Sequence, residues 1–193
     1  MPAVAAYDEA RCDEVIDSLV TTTQVPTLRL GAFNLAPPFA KPDWDDAMSR
    51  IRVDAREAWT ESATRLGANQ VAEFSEFGRW ARFLTGRMHE RGVSIAAGTD
   101  TPILLAIPGY SLHAELEQLV ASGLSPLDAL HAATVQPAAF FDLADEMGSI
   151  AVGMRADLVL LDADPLVDIT NTRRISGVVS KGTYYDPAAL LVN

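Results

Sequence analysis

The stretch GVSIAAGTD, Gly92 to Asp100, constrains the fold more than any other part of the chain. Val93 to Ala97 is almost wholly apolar, Gly98 and Thr99 are small, and Asp100 follows directly. Near-continuous apolarity is what a strand buried on both faces of a parallel sheet requires; a strand with one wet face alternates instead. A carboxylate where such a strand ends stands where α/β folds bind their ligands, outside the carboxyl ends of the strands. There it can ligate a metal or accept a proton. It can equally cap a helix or turn, and spacing alone leaves both readings open.

The flanking sequence is organised around helices. Asp8 to Thr22 has helical periodicity, with Cys12, Val15, Ile16, Leu19 and Val20 on one face. Gln24 to Leu30 is β-rich, and a loop with Pro37, Pro38 and Pro42 follows. Asp43 to Leu66 reads as one helix, and a further one is expected from about Glu73 to Arg91, closed by Gly92. Asp100 to Tyr110 is a loop, and Leu112 to Ser122 is a helix ending at Gly123. Ser125-Pro126-Leu127-Asp128 announces the next helix through a capping Ser, a Pro at the first helical position and an acid three residues after the cap. Beyond about Asp145 the chain turns short-stranded and Gly-punctuated: two runs around Gly153, and one or two strands in Ile175 to Tyr185. The division expected is thus 1–145, an α/β part with two parallel strands, and 146–193, a small β-sheet unit. Two parallel strands do not make a stable sheet, so the first part looks incomplete by itself.

Composition narrows the function classes. The net charge of −11 argues against nucleic acid and against an anionic membrane surface, both of which call for clustered Lys and Arg. No apolar run is long enough to span a bilayer, and the N-terminus has no signal-peptide pattern. Cys12 is the single cysteine, which excludes an intrachain disulfide and a Cys-based zinc site and suits a buried thiol in a reducing cytoplasm. The three histidines, His89, His113 and His131, fall on or beside helices, with no His-x-His pair. His113 either faces the mouth of a site or positions a helix start; His89 and His131 are expected at the surface. The charges of Arg50 to Arg56 read as a solvated helix face. Ile103, Leu104, Leu105 and Ile107 either shape a pocket or pack the loop.

Several stretches together resemble the amidohydrolase superfamily, in its imidazolonepropionase-like and prolidase-like branch: VPTL at 25–28, GVSIAAGTDT at 92–101, PGYSLHAELEQLVASGLSPLDALHAATVQPA at 108–138 and GSIAVGMRADLVLLDADPLVDI at 148–169. The resemblance implies the C-terminal half of a (β/α)8 TIM-like barrel plus strands of a small β-sandwich. QVPTLRL would be the seventh barrel strand and VSIAAGTD the eighth. It implies metal-dependent hydrolysis of a C–N bond in an amide, a peptide-like substrate or a cyclic amide. Asp100 matches the family's strand-eight Asp, both ligand of a divalent metal, usually zinc, and general base. The family's other ligands, a His-x-His pair, a Lys or Glu and two single His residues, have no counterpart here. One Asp does not hold a zinc that takes about three protein ligands plus water. The expectation is therefore a chain that does not bind the metal alone, and that acts on a small amide or dipeptide-like substrate once completed by an N-terminal half or by oligomerisation. The alternative is an inactive remnant or interaction module.

Overall fold

The computed structural model of the protein describes residues 7–68 and 72–190. The first helix, α1 (Glu9–Asp17), is shorter than its periodicity suggests. Asp8 starts it by accepting the Arg11 N–H at 3.1 Å. Only Ile16 of its apolar residues is buried in the main core, and Cys12 is half-buried rather than enclosed. Strand β1 is confined to Thr23–Gln24. The β-rich run beyond it does not extend the strand: Thr27 takes a left-handed conformation, φ 49°, and the chain turns into the short helix α2 (Leu28–Gly31).

A 3-10 turn at Pro38–Ala40 occupies the expected Pro-rich loop. The helix expected over Asp43 to Leu66 is two, α3 (Trp44–Ser49) and α4 (Val53–Ala68). The break has a visible cause. Ser49 Oγ donates back to the Asp46 carbonyl at 2.6 Å, competing for a helical acceptor. The Arg56 guanidinium then reaches back to the carbonyls of Ser49 and Ile51 and caps the end of α3. Arg56 is thereby half-buried, unlike Arg50 and Arg52, which pair with Asp46 and Asp54 in solvent as expected. Helix α5 (Ala72–Glu90) leads into β2.

Strand β2 keeps only Ser94–Ile95 of the apolar run in regular pairing. It lies parallel to β1, with Thr23 opposite Ser94 and Gln24 opposite Ile95. The run behaves as a buried strand nonetheless: Val93, Ile95 and Ala96 are in the core. The Ala96 N–H bonds Gln24 O at 2.9 Å, and the Ala97 N–H leaves the sheet for Ala132 O at 2.8 Å. After a 3-10 turn at Ile103–Leu105 come α6 (Tyr110–Ala121), α7 (Pro126–Ala133) and α8 (Val135–Phe140).

The cap of α7 is the one the sequence announces. Ser125 Oγ accepts the Asp128 N–H at 3.1 Å, and Asp128 accepts the Ser125 N–H at 3.3 Å. Ser125→Ala is expected to lower stability by about 1 kcal/mol in urea unfolding; an unchanged midpoint would mean that the box does not hold the helix.

Leu28, Val93, Ile95, Leu116, Leu119 and Ala129 form the centre of the main core, between the parallel strands and α6–α7. A second cluster joins Phe33, Trp44 and Met48 to Leu105 and Ile107. The loop apolars therefore divide. Leu105 and Ile107 pack, while Ile103 and Leu104 stay exposed.

The C-terminal segment forms an antiparallel sheet, β3 (Leu158–Leu161), β4 (Ile175–Ser180) and β5 (Thr183–Tyr185), in that spatial order. A 3-10 helix, Ile169–Arg173, lies between β3 and β4, and helix α9 (Pro187–Leu190) ends the described chain. Lys181 and Gly182, both at positive φ, make the two-residue hairpin turn that matches strand twist. The two runs expected around Gly153 reduce to one strand, β3. Gly148 to Met154 is irregular, with Ile150 and Val152 fully in solvent.

Candidate functional site

Asp100 owes its place to the close approach of the two parallel strands. A Cβ on Gly98 would stand 2.4 Å from Val25 Cγ1, so only glycine lets the end of β2 pass the end of β1. Two residues later Asp100 takes φ 51°, its carbonyl accepts the Ile103 N–H at 2.8 Å, and its side chain is exposed. Among the described residues no backbone N–H is bonded to its carboxylate. The turn is closed by its main chain, which leaves the carboxylate available at the strand end.

Arg29, at the start of α2, feels the Asp100 charge: Glu115 and Asp100 support its positive charge against the burial that lowers its pKa. Arg29 Nη2 donates to the carbonyls of Ile103 at 2.8 Å and Leu104 at 3.2 Å. Behind it, Glu115 is wholly buried, 0 % exposed. Its two carboxylate oxygens accept the N–H groups of Leu28 at 2.9 Å and Arg29 at 2.6 Å. Burial pushes the Glu115 carboxyl up to about 7, against those two hydrogen bonds and the Arg29 charge.

Sequence reading did not single out Arg29 or Glu115. A signal was present: Glu115 falls within the inward arc of α6, beside Leu116 and in line with Ser111 and Gln118, all buried. A carboxylate at core spacing needs donors, and the first turn of α2 supplies them.

The histidines do not gather around Asp100. His113, in the first turns of α6, is hydrogen-bonded through Nδ1 to Thr172 Oγ1 at 3.0 Å. The Thr172 hydroxyl itself donates to Ile169 O at 2.8 Å, so Nδ1 carries the hydrogen. Burial, aided by the Arg173 charge, lowers the His113 pKa and keeps the ring neutral. His113 thus ties α6 to the 3-10 helix before β4. His89 lies 3.6 Å from Asp128, partly exposed, and His131 is part of the same charged neighbourhood on α7.

A polar network adjoins His113. Arg173 donates to Glu117 at 3.0 Å and to Asp43 at 3.0 Å, and stacks over the Tyr110 ring at 4.7 Å. Tyr110 Oη donates to Asp43 at 2.7 Å, and Lys41 pairs with Glu117. These charges are mutually satisfied and bind the chain to itself. A cleft of about 540 Å³ opens elsewhere, lined by Phe39, Trp44, Met48 and Arg56; Asp100 is not part of its wall.

A zinc-type ion at a barrel strand end calls for about three protein ligands plus water. Among the described residues no group of three or more His, Cys, Asp or Glu side chains converges as a metal requires. With Asp100 alone at the strand end, the residues present do not fit the ion.

Comparison with known proteins agrees with the architecture. The profile of the Amidohydrolase family matches residues 82–184, more than half of the chain, and the chain belongs to that family. A Xaa-Pro dipeptidase, solved with methionine in its active site, is 22 % identical with a TM-score of 0.63, covering 90 % of this chain and 37 % of its own. A Bifidobacterium longum protein described as a prolidase is 29 % identical with a TM-score of 0.59, covering 85 % and 35 %. Phenylurea hydrolase B is 23 % identical with a TM-score of 0.51, covering 91 % and 36 %. None of the curated proteins compared with the chain matches it. The chain spans little more than a third of the length of these solved structures. Its fold is the α/β C-terminal portion of an amidohydrolase barrel with strands of the accompanying sheet domain. Family members use divalent metals in general, and no helix of the described residues is long and apolar enough to cross a membrane.

Proposed function

We propose that this chain contributes one wall of an amidohydrolase active site, hydrolysing a C–N bond in an amide, dipeptide-like or cyclic amide substrate. Asp100 is its catalytic carboxylate and its single metal ligand. The observation that carries this reading is the exposed carboxylate of Asp100 at the end of a buried parallel strand, uncommitted to any cap. The ion it would help to hold is zinc or another divalent metal, and the remaining ligands of that ion are supplied from outside this chain. Residues 1–145 form the barrel portion and 146–193 the sheet unit, and the protein works in the cytoplasm on a small molecule.

The test measures bound zinc per polypeptide and hydrolysis of a dipeptide and N-acyl amide panel. Both are measured on the chain alone and on the chain combined with a polypeptide supplying the rest of the barrel. Turnover and retained metal are expected only in the combination, with both reduced by Asp100→Asn. Turnover indifferent to that substitution overturns the reading.

A second reading, an interaction module without catalysis, is favoured by one observation. Val159, Leu160 and Tyr184 leave the antiparallel sheet substantially apolar and exposed. Tight assembly with no turnover on the panel would support it.

A further inference from the structure

The loop that carries Asp100 is strained and needs something to hold it. Asp100, Leu104 and Leu105 all lie at positive φ, 51°, 44° and 62°, without a glycine among them. Such conformations persist only where surrounding structure over-determines them. Local bonds are few: Ile103 N–H to Asp100 O at 2.8 Å and Ala106 N–H to Ile103 O at 3.2 Å. The strong contact comes from the neighbouring strand corner, where Arg29, only 7 % exposed, donates one guanidinium nitrogen to the Ile103 and Leu104 carbonyls.

Arg29 is itself fixed from behind. Its backbone N–H and that of Leu28 are held by the two oxygens of Glu115, whose side chain is completely enclosed. Glu115 belongs to α6, which packs on both α2 and α7 in the main core. A continuous chain of contacts therefore runs from the rigid core helix, through the first turn of α2, to the turn after β2. Each link uses an ionisable side chain: the Glu115 carboxyl accepts two backbone N–H groups, and the Arg29 guanidinium, always charged, donates to two carbonyls in the stronger, charge-assisted kind of hydrogen bond. Neither side chain is needed to close a secondary-structure element of its own.

We infer that Glu115 and Arg29 are positioning residues for the Asp100 loop: Glu115 anchors the first turn of α2, and Arg29 carries that anchorage across to the backbone beside Asp100. The functional meaning of the loop rests on the reading of Asp100 given above, but the positioning itself does not depend on it.

The experiment is residue-resolved amide hydrogen exchange on the full chain, comparing wild type with Arg29→Met, Arg29→Lys and Glu115→Gln. In Arg29→Met the Ile103 and Ala106 amides are expected to exchange at least tenfold faster, while Leu116 and Leu119 in the core keep their rates. Glu115→Gln should loosen the same loop amides to a lesser degree, together with Leu28 and Arg29. Arg29→Lys, which keeps a cationic donor, should recover part of the protection and serves if the Met variant fails to fold. Loop amides at wild-type rates in both Arg29 variants would overturn the inference. So would a uniform rise across core and loop, the signature of lost global stability. A loosened loop alongside turnover indifferent to Asp100→Asn would leave the positioning standing and sink the functional reading alone.

Discussion

Gly86→Ala is expected to destabilise the protein by about 2–3 kcal/mol or more, although alanine is the better helix former. Gly86 lies buried in α5, where the helix crosses the end of α6. A Cβ there would stand 2.1 Å from the carbonyl oxygen of Ser122. That partner is backbone, at the last turn of α6, and no rotamer change relieves the clash. The two helices must part by more than 1 Å, opening the core between Ala81, Met88 and Leu119. Against this stands a helix-propensity gain of about 1 kcal/mol, present at any glycine within a helix. Gly67 in α4 provides the control, because its Cβ would meet only the Phe39 ring at 3.5 Å, an ordinary contact. Gly67→Ala should therefore be neutral or slightly stabilising. Urea unfolding of the two variants checks the pair. Equal stability of Gly86→Ala and wild type would mean that the α5–α6 crossing is looser than drawn.

What the sequence made legible, and what it hid, follows the range of the physics involved. The run Val93 to Ala97 announced a buried strand because apolarity is a property of each residue in turn. The α7 cap was readable because its partners are three residues apart. The hairpin in Ile175 to Tyr185 was readable because Lys181-Gly182 sits between alternating strands. Where partners were distant, local patterns misled. Nothing within Asp43 to Leu66 signals a break; it arises when Arg56 turns back to cap Ser49 and Ile51. The β-rich run after Gln24 yields to a helix because the Leu28 and Arg29 N–H groups have a better acceptor 87 and 86 residues away. Asp100 was singled out as a candidate by its place at a strand end and by family resemblance. Arg29 and Glu115 were not, since an Arg after VPTL and a Glu on a helix are unremarkable until the fold brings them together.

The same pair gives the chain a pH dependence of definite sign. Burial raises the Glu115 carboxyl to about 7, above its ordinary value of 4.5. The folded state therefore binds more protons than the unfolded state between those values, and the stability of this site must fall as pH rises. Its contribution is complete below about 4.5 and lost on passing through about 7. The span of roughly 2.5 pH units corresponds to about 3 kcal/mol at most. His113 works in the opposite direction. Its pKa is lowered, so the folded protein resists its protonation and gains stability as pH climbs toward the free imidazole value of 6.5. Asp43 is held below its usual range, since burial is outweighed by its bonds from Tyr110 and Arg173, and it matters only in stronger acid. A total stability profile mixes these contributions, so the informative quantity is a difference. Subtracting the profile of Glu115→Gln, which keeps the shape and removes the titration, should leave a curve that declines from pH 4.5 to 7 and is flat on either side. The His113 contribution cancels in that subtraction, because Thr172 and Arg173 are untouched. A flat difference would mean that Glu115 titrates in the folded state as it does in the unfolded chain, with the Leu28 and Arg29 N–H groups and the Arg29 charge balancing its burial. A decline would mean that the anchor behind Arg29 is held chiefly as the neutral acid at low pH and becomes a buried charge near neutrality, where Arg29 is its closest compensation.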